Sequence, residues 1–252
     1  MNNESINYGI PKIDEYTAQM ILYRIDMYIH LRYPHLIDIN NKNKDIISTL
    51  NENSNFFVIK SYSEEDIHKS IKYNIWSSTP RGNQTLNNAF IKCKEKNGSV
   101  YLFFSSNKSG RFAGVAKMKS EVNENKRFPL WTKDNLWTGI FEVEWLFIKD
   151  VPFYKFNDIK IMLKEGITDT VVLSRDHQEV PFNEGIQMMN IISNYNNTNS
   201  LLEHFEYYDI RQDSYEKANP QLFENMKHQK KEVQKDEKII QEKVNEEEDD
   251  KK

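Results

Sequence analysis

Nine residues, IFEVEWLFI from Ile140 to Ile148, constrain the fold of this chain more than any other stretch. Phe141, Val143, Trp145 and Phe147 alternate with Glu142 and Glu144, and a period of two puts the apolar side chains on one face of a strand and the carboxylates on the other. Such a strand needs neighbours beside it and a core beneath it. FFVIK from Phe56, VYLFFS from Val100 and RFAGVAKM from Arg111 predict three more strands. The turn signal Ser106 to Gly110 joins the last two as a hairpin. DIKIML and TVVL supply two further short candidates.

Helices are expected between and after the strands. Ser63 can cap one whose first turn carries Glu64, Glu65 and Asp66, with Ile67 and Ile71 on its buried face. A second runs from about Thr85 to Lys94 through Leu86, Ala89, Phe90 and Cys93, with Gly98 at its exit. Pro181 opens a third, reaching about Tyr195, and Leu201 to Tyr208 marks a short fourth. Together these elements predict a mixed α/β fold around one sheet flanked by helices, and about six strands are enough for that sheet to curl towards a barrel.

The flanks differ from this core. Lys12 to Tyr33 reads as a helix with Asp14 as N-cap and Pro34 as its stop, and its apolar residues cover more than one face. It therefore needs a partner surface, either the main domain or another chain. NNKNKDIISTLNENSN reads as an asparagine-rich linker, and after Pro220 the pattern dissolves into Lys and Glu. The expected division is residues 1–54 for the N-terminal helix and linker, 55–212 for the domain, and 213–252 for a mobile charged tail.

Composition narrows the chemistry. Net charge is −4, which argues against a surface that is cationic as a whole but allows a local basic groove. Cys93 is the only cysteine, so no disulfide can form within the chain, in keeping with a reducing compartment. A small core residue is the simplest role for it. No window is apolar enough to span a bilayer, and MNNESINYGIPK lacks the features of a secretory signal. A soluble, intracellular protein is expected.

No Gly-rich phosphate loop, HExxH, paired CxxC or nucleophile elbow is present, so no catalytic residue, metal site or cofactor is expected. His68 beside Asp66 reads as a surface or packing residue before a general base. The tryptophans are more informative. Only Trp145 lies inside an obvious strand, whereas Trp76, Trp131 and Trp137 sit in polar, loop-like surroundings. Large aromatics outside the core pattern suit stacking on a flat ligand; the plainer alternative is that they plug the sheet edge.

Four motifs, in order, carry a family resemblance: KSYSEEDIHKSIKYNIWSST, YLFFSSNKSGRFAGVAKMKS, FEVEWLFIKDVP and SRDHQEVPFNEG. Over roughly Phe56 to Gln212 the chain resembles the YTH domain, and the SYSEEDIHKSIKY wording is closer to the DF-type branch, typically cytoplasmic, than to the nuclear DC-type branch. The resemblance implies a six-stranded α/β domain that reads N6-methyladenosine in single-stranded RNA and influences the fate of the message. Cytoplasm is the expected compartment, with the nucleus second.

By the same resemblance Trp76, Trp131 and Trp137 form the walls of a methyl cage. Tyr62 offers its backbone N–H to the purine, Asp66 faces ring N1, and the Ser77 carbonyl accepts the remaining amine proton. Asn107, Lys60, Arg175 and Asp176 line the site or hold the RNA backbone. The sequence departs from the pattern twice. Trp131 and Trp137 are one residue further apart than in the DF-type loop, so Leu136 is a substitute third wall; and Thr138 stands where a lysine is common. Two other ligand classes stay open, a methyl-lysine-type reader of protein and a general single-stranded RNA-binding module. Protein effectors recruited through the N-terminal helix are a further expected partner.

Overall fold

The computed structural model describes residues 14–197 and 199–221. Helix α1 (Glu15–Arg32) starts where Asp14 accepts a bond from the Thr17 N–H and stops before Pro34, as expected. The expected first residues from Lys12, and the tail from residue 222, lie outside the described residues. The stretch read as a linker is instead docked. It holds a short helix, α2 (Ile39–Lys42), and a 3-10 turn (Ile46–Thr49). Asn40 exchanges bonds with both the N–H and the C=O of Ile148, and Asn43 donates to the Leu146 carbonyl. Asparagine amides can satisfy backbone groups of a strand, which composition alone does not distinguish from solvation.

The core follows in the order β1 (Asn55–Ser61), α3 (Glu64–Tyr73), β2 (Ile75–Ser78), α4 (Pro80–Glu95), β3 (Val100–Ser106), β4 (Arg111–Met118) and β5 (Thr138–Pro152). The chain continues through β6 (Lys160–Lys164), β7 (Ile167–Thr170), β8 (Gln178–Val180) and α5 (Phe182–Asn194). A last helix, α6 (Phe205–Ala218), begins at the end of this unit; residues from Tyr207 onward belong to a second compact unit.

Six strands form the sheet in the order β2-β5-β4-β3-β1-β8. β1 and β3 are parallel, Asn55 opposite Val100 through Ser61 opposite Ser106, and the α3-β2-α4 connection supplies the crossover that parallel strands require. All other pairings in the sheet are antiparallel.

The strand count agrees with the sequence reading, but two members differ. DIKIML and its partner form a separate hairpin, β6-β7, and most of TVVL is a 3-10 turn (Val171–Leu173). Their places in the sheet are taken by the two short edge strands β2 and β8. Strands of four and three residues are too short to show a period.

The sheet carries a core on each face. One holds Phe56, Val58, Phe103, Phe112, Phe147 and Val151 under α5 (Met188, Met189, Ile192). On the other, Ile67 and Ile71 of α3 and Leu86 of α4 are fully buried, as are Ile59 and Phe104. His68 is also buried, edge-on to Phe205 at 4.6 Å, which makes it a packing residue. Cys93 is buried too, its thiol donating to Asn55.

α4 begins earlier than expected, because Thr79 caps it and Pro80 occupies its first turn. It ends in a Schellman motif, with Gly98 N–H on the Cys93 carbonyl and Asn97 N–H on that of Lys94. Asn97, not Gly98, takes the left-handed conformation there; Gly98 is needed because a Cβ would meet the Asn53 carbonyl oxygen at 2.2 Å.

His177 curls the sheet towards closure. Its backbone N–H bonds to the Val58 carbonyl on β1, while its Nε2 contacts Ser78 Oγ at the far edge strand, β2. Burial lowers the pKa of this imidazole, against the opposing pull of Asp176. Gly82, in the first turn of α4, lies under the junction: a Cβ there would meet His177 Cε1 at 2.3 Å and Ser78 Oγ at 2.4 Å. Gly→Ala inside a helix normally stabilises by up to about 1 kcal/mol. At Gly82 the clash reverses the sign, and Gly82→Ala is expected to destabilise by about 1–3 kcal/mol in urea unfolding.

Candidate binding site

Strand β2 carries the first wall of the candidate site. Trp76, read from sequence as loop-like, is buried in this strand opposite Phe141 of β5, and its ring stands edge-on to Phe104 at 4.9 Å. A β-bulge follows, where β5 has one residue more than β2 between Trp76 and Ser78. Ile140 turns its backbone away to pair with Asn123, and Gly139 adopts φ +72°. Ser77 lies opposite this bulge, with its hydroxyl donating to the Gly139 carbonyl.

The second wall, Trp131, sits on a long loop between β4 and β5, and α3 holds that loop on both sides of the ring. Asp66, fully buried, accepts bonds from the Thr132 N–H at 2.9 Å, from the Thr132 hydroxyl and from Ser63 Oγ. One turn along α3, Lys69 donates to the Leu130 carbonyl at 2.6 Å and pairs with Glu65 at 2.9 Å. An ammonium this deeply buried is tolerated only because a carboxylate and a carbonyl face it. Phe128 packs on Trp131 from behind at 4.8 Å.

Trp137 is the least anchored of the three. It ends a turn in which the Leu136 and Trp137 N–H groups both bond to the Lys133 carbonyl. Its ring lies 5.1 Å from Trp76 and 5.6 Å from Trp131, while Trp76 and Trp131 are 5.4 Å apart. Leu136 points outward, 55% exposed, and is outside the ring cluster. The three indoles thus meet in tilted or edge-to-face contact. A base sliding between two of them needs about 7 Å, twice the carbon–carbon contact distance of ~3.5 Å. Insertion of a flat ligand between two of these rings would therefore require one of them to move. The buried Nε1–H groups of Trp76 and Trp131 have no hydrogen-bond partner, a liability that a ligand acceptor could relieve.

The other residues singled out from sequence divide into two groups. Tyr62 is half exposed next to this cluster, with Lys133 Nζ 4.4 Å above its ring. Asn107 bonds through its N–H to the Ser61 carbonyl, bringing the hairpin turn beside Tyr62. Arg175 is exposed, and Asp176 receives the Lys60 backbone N–H, in the turn that His177 ties to β2.

The Lys60 side chain is not brought to the tryptophans. It alternates with Ile59 onto the opposite face of β1, where its ammonium lies 4.6 Å over Phe153 and donates to the Val172 carbonyl. Desolvation there lowers its pKa to about 8.

Sequence reasoning missed Lys69, Thr132 and His177. The i,i+4 spacing of Glu65 and Lys69 was a visible signal for an ion pair on α3. Nothing local indicates that the same amine reaches a carbonyl in a distant loop. Among the described residues no group of three or more His, Cys, Asp or Glu is placed to hold a metal ion, and no helix is long and apolar enough to cross a membrane.

The curled α/β sheet thus brings three indoles together at one edge, beside the long loop between β4 and β5. The sequence profile of the YT521-B-like domain, YTH, matches residues 54–193. Human YTH domain-containing family protein 2 is 44% identical over 181 residues, which cover 72% of this chain and 31% of the human protein. Human family protein 3 is 43% identical over 188 residues, 75% of this chain and 32% of that protein. The chain thus spans about a third of the length of these relatives.

Two solved structures share the fold. The Pho92 YTH domain in complex with m6A superposes with a TM-score of 0.56 at 35% identity, covering 61% of this chain and 94% of that one. The YTH domain of Zygosaccharomyces rouxii MRB1, in complex with N6-methyladenosine RNA, gives a TM-score of 0.51 at 34% identity, with the same coverage of both chains. The chain belongs to the YTH domain family, on the DF-type branch.

Two substitutions test the geometry. Lys69→Met leaves Glu65 and the Leu130 carbonyl buried without their donor, and is expected to cost about 1–3 kcal/mol and to speed amide exchange across residues 128–132. Lys60→Met tests the depressed amine. Between about pH 8 and the ordinary lysine value the unfolded chain holds a proton that the folded one has released, so wild-type stability rises with pH. The advantage of Lys60→Met over wild type should therefore shrink through that window in parallel urea titrations.

Proposed function

We propose that this domain binds N6-methyladenosine in single-stranded RNA, with Trp76, Trp131 and Trp137 enclosing the methylated base. The observation that carries the reading is the convergence of these three indoles in a domain of this family, two of them held by the fold. Trp76 is fixed in the sheet and Trp131 by Asp66 and Lys69, so the base enters by displacing Trp137 on its short turn. The relatives solved with N6-methyladenosine support the choice of ligand.

N6-methyladenine is neutral, so the enclosure works by stacking and by excluding water from a methyl group. That group is worth on the order of 0.8 kcal/mol by transfer, and discrimination by one such group in a pocket reaches roughly 10–200-fold. A second contribution comes from the unmethylated amine, whose extra N–H would face indole surfaces that offer no acceptor. The base must leave its stack to be read, which favours single strands.

In this reading Tyr62 contributes its backbone N–H, Ser77 its carbonyl at the bulge, and Asn107, Arg175 and Asp176 line the path of the strand. Asp66 already accepts three bonds from the protein, so its foremost task is to hold the Trp131 loop. A base placed against Asp66 through ring N1 would set acceptor against acceptor and needs a bridging proton or water. Lys60, whose ammonium lies over Phe153 on the other face of β1, is outside the indole cluster and is kept in this reading as a contact to the adjoining RNA backbone. The domain acts by binding and not by catalysis, in the cytoplasm, and influences the stability or translation of the messages it holds.

The test is a titration of a short single-stranded RNA, with and without one N6-methyladenosine, against wild type and Trp131→Ala. Wild type should prefer the methylated RNA by roughly 10–200-fold, Trp131→Ala should lose that preference, and both affinities should fall with salt. Equal affinity of wild type for the two RNAs overturns the proposal. Disappearance of the methylated base, read by mass spectrometry of the recovered RNA, would reveal an enzyme instead.

A further inference from the structure

Charge is distributed unevenly around the end of β1 that faces the indole cluster. The carboxylates of α3 and of the 174–177 turn are already engaged within the domain. Glu64 meets Arg111 at 2.5 Å, Glu65 meets Lys69 at 2.9 Å, and Asp66 is held by Ser63 and Thr132. Asp176 takes the Lys60 backbone N–H and lies 3.2 Å from His177 Nε2. The cations are left over. Lys108 and Arg175 are exposed and Lys133 is half-buried, and among the described residues no carboxylate pairs with any of the three. They sit on three separate connections that meet consecutive residues of the chain. Arg175 precedes Asp176, whose carboxylate holds Lys60; Lys108 follows Asn107, whose N–H bonds to Ser61; and Lys133 reaches Tyr62.

Lys133 is the most informative of them. Its carbonyl accepts the Leu136 and Trp137 N–H groups, while its ammonium lies 4.4 Å over the ring of Tyr62, which is 54% exposed. Asp134, the one carboxylate between Trp131 and Trp137, is exposed and makes no ion pair with it. An aromatic face near solvent is a weak partner for an ammonium, and a charge-assisted bond to a phosphate oxygen is stronger. We propose that Lys133 is a phosphate-binding residue of this domain: its ammonium leaves the Tyr62 ring for the RNA phosphate beside the enclosed nucleotide. The four-carbon stem allows this swing with the backbone in place. This assignment rests on the reading of the indole cluster as an RNA site, and it adds affinity without base identity, because every nucleotide carries the same phosphate.

The test measures a short single-stranded RNA with and without one N6-methyladenosine, and the free N6-methyladenosine nucleoside, against wild type, Lys133→Gln and Lys133→Arg. Salt is varied from about 50 to about 200 mM. Lys133→Gln should lower the slope of log affinity against log salt by about 0.7, the value of one single-strand phosphate contact. It should weaken both RNAs by the same factor and leave nucleoside affinity at the wild-type level, and Lys133→Arg should keep the wild-type slope. An unchanged slope in Lys133→Gln overturns the proposal. So does a nucleoside affinity that falls as far as the RNA affinity, since the substitution then acts through the Trp137 turn. A wild type that binds both RNAs equally overturns the methylated-base reading alone; a slope that still drops in Lys133→Gln then supports the phosphate contact by itself.

Discussion

A carboxylate buried out of reach of solvent must be fully hydrogen-bonded, and Asp66 meets that requirement in a way that organises the binding edge. Its donors are Ser63, at the cap of its own helix, and both polar groups of Thr132, far along the chain. Lys69 repeats the device with opposite charge one turn later, on the Leu130 carbonyl. Between these two anchors the backbone has little freedom, and the side chain between them is Trp131. A long, polar loop would otherwise be a poor place for a precise wall.

The curl of the sheet complements this clamp. Trp76 belongs to one edge strand, and the 174–177 turn precedes the other. His177 joins them, and the bulge at Gly139 lets Ser77 and the start of β5 depart from the regular ladder where a ligand would approach. Of the three indoles, Trp137 alone depends on a short turn for its position.

Most of the core was legible in the sequence, for reasons that differ by element. β5 announced itself by alternation over nine residues, α3 by Ser63 and three acidic residues in its first turn, and the β3-β4 hairpin by its turn. β2 and β8 did not, since four- and three-residue strands are defined by their neighbours. Trp76 was misplaced in a loop for that reason. The Asn40 and Asn43 contacts were invisible because an asparagine solvated in a linker and one capping a strand look alike in composition. For Lys60 alternation sufficed: it puts the side chain on the face of β1 opposite Ile59, where the ammonium lies over Phe153.

What the amino-acid sequence determined by itself is the set of parts: an α/β sheet with one commanding strand, three tryptophans outside its regular pattern, and a family whose motifs recur in order. Those properties follow from periodicity, capping and residue type, which act over a few neighbours along the chain. Only the tertiary structure decided that Asp66 and Lys69 hold the Trp131 loop, that His177 draws the two sheet edges together, and that Trp137, not Leu136, turns its side chain into the ring cluster. Each of these joins residues tens of positions apart through buried charge or hydrogen bonds. Such bonds become strong only once folding has removed the water around them.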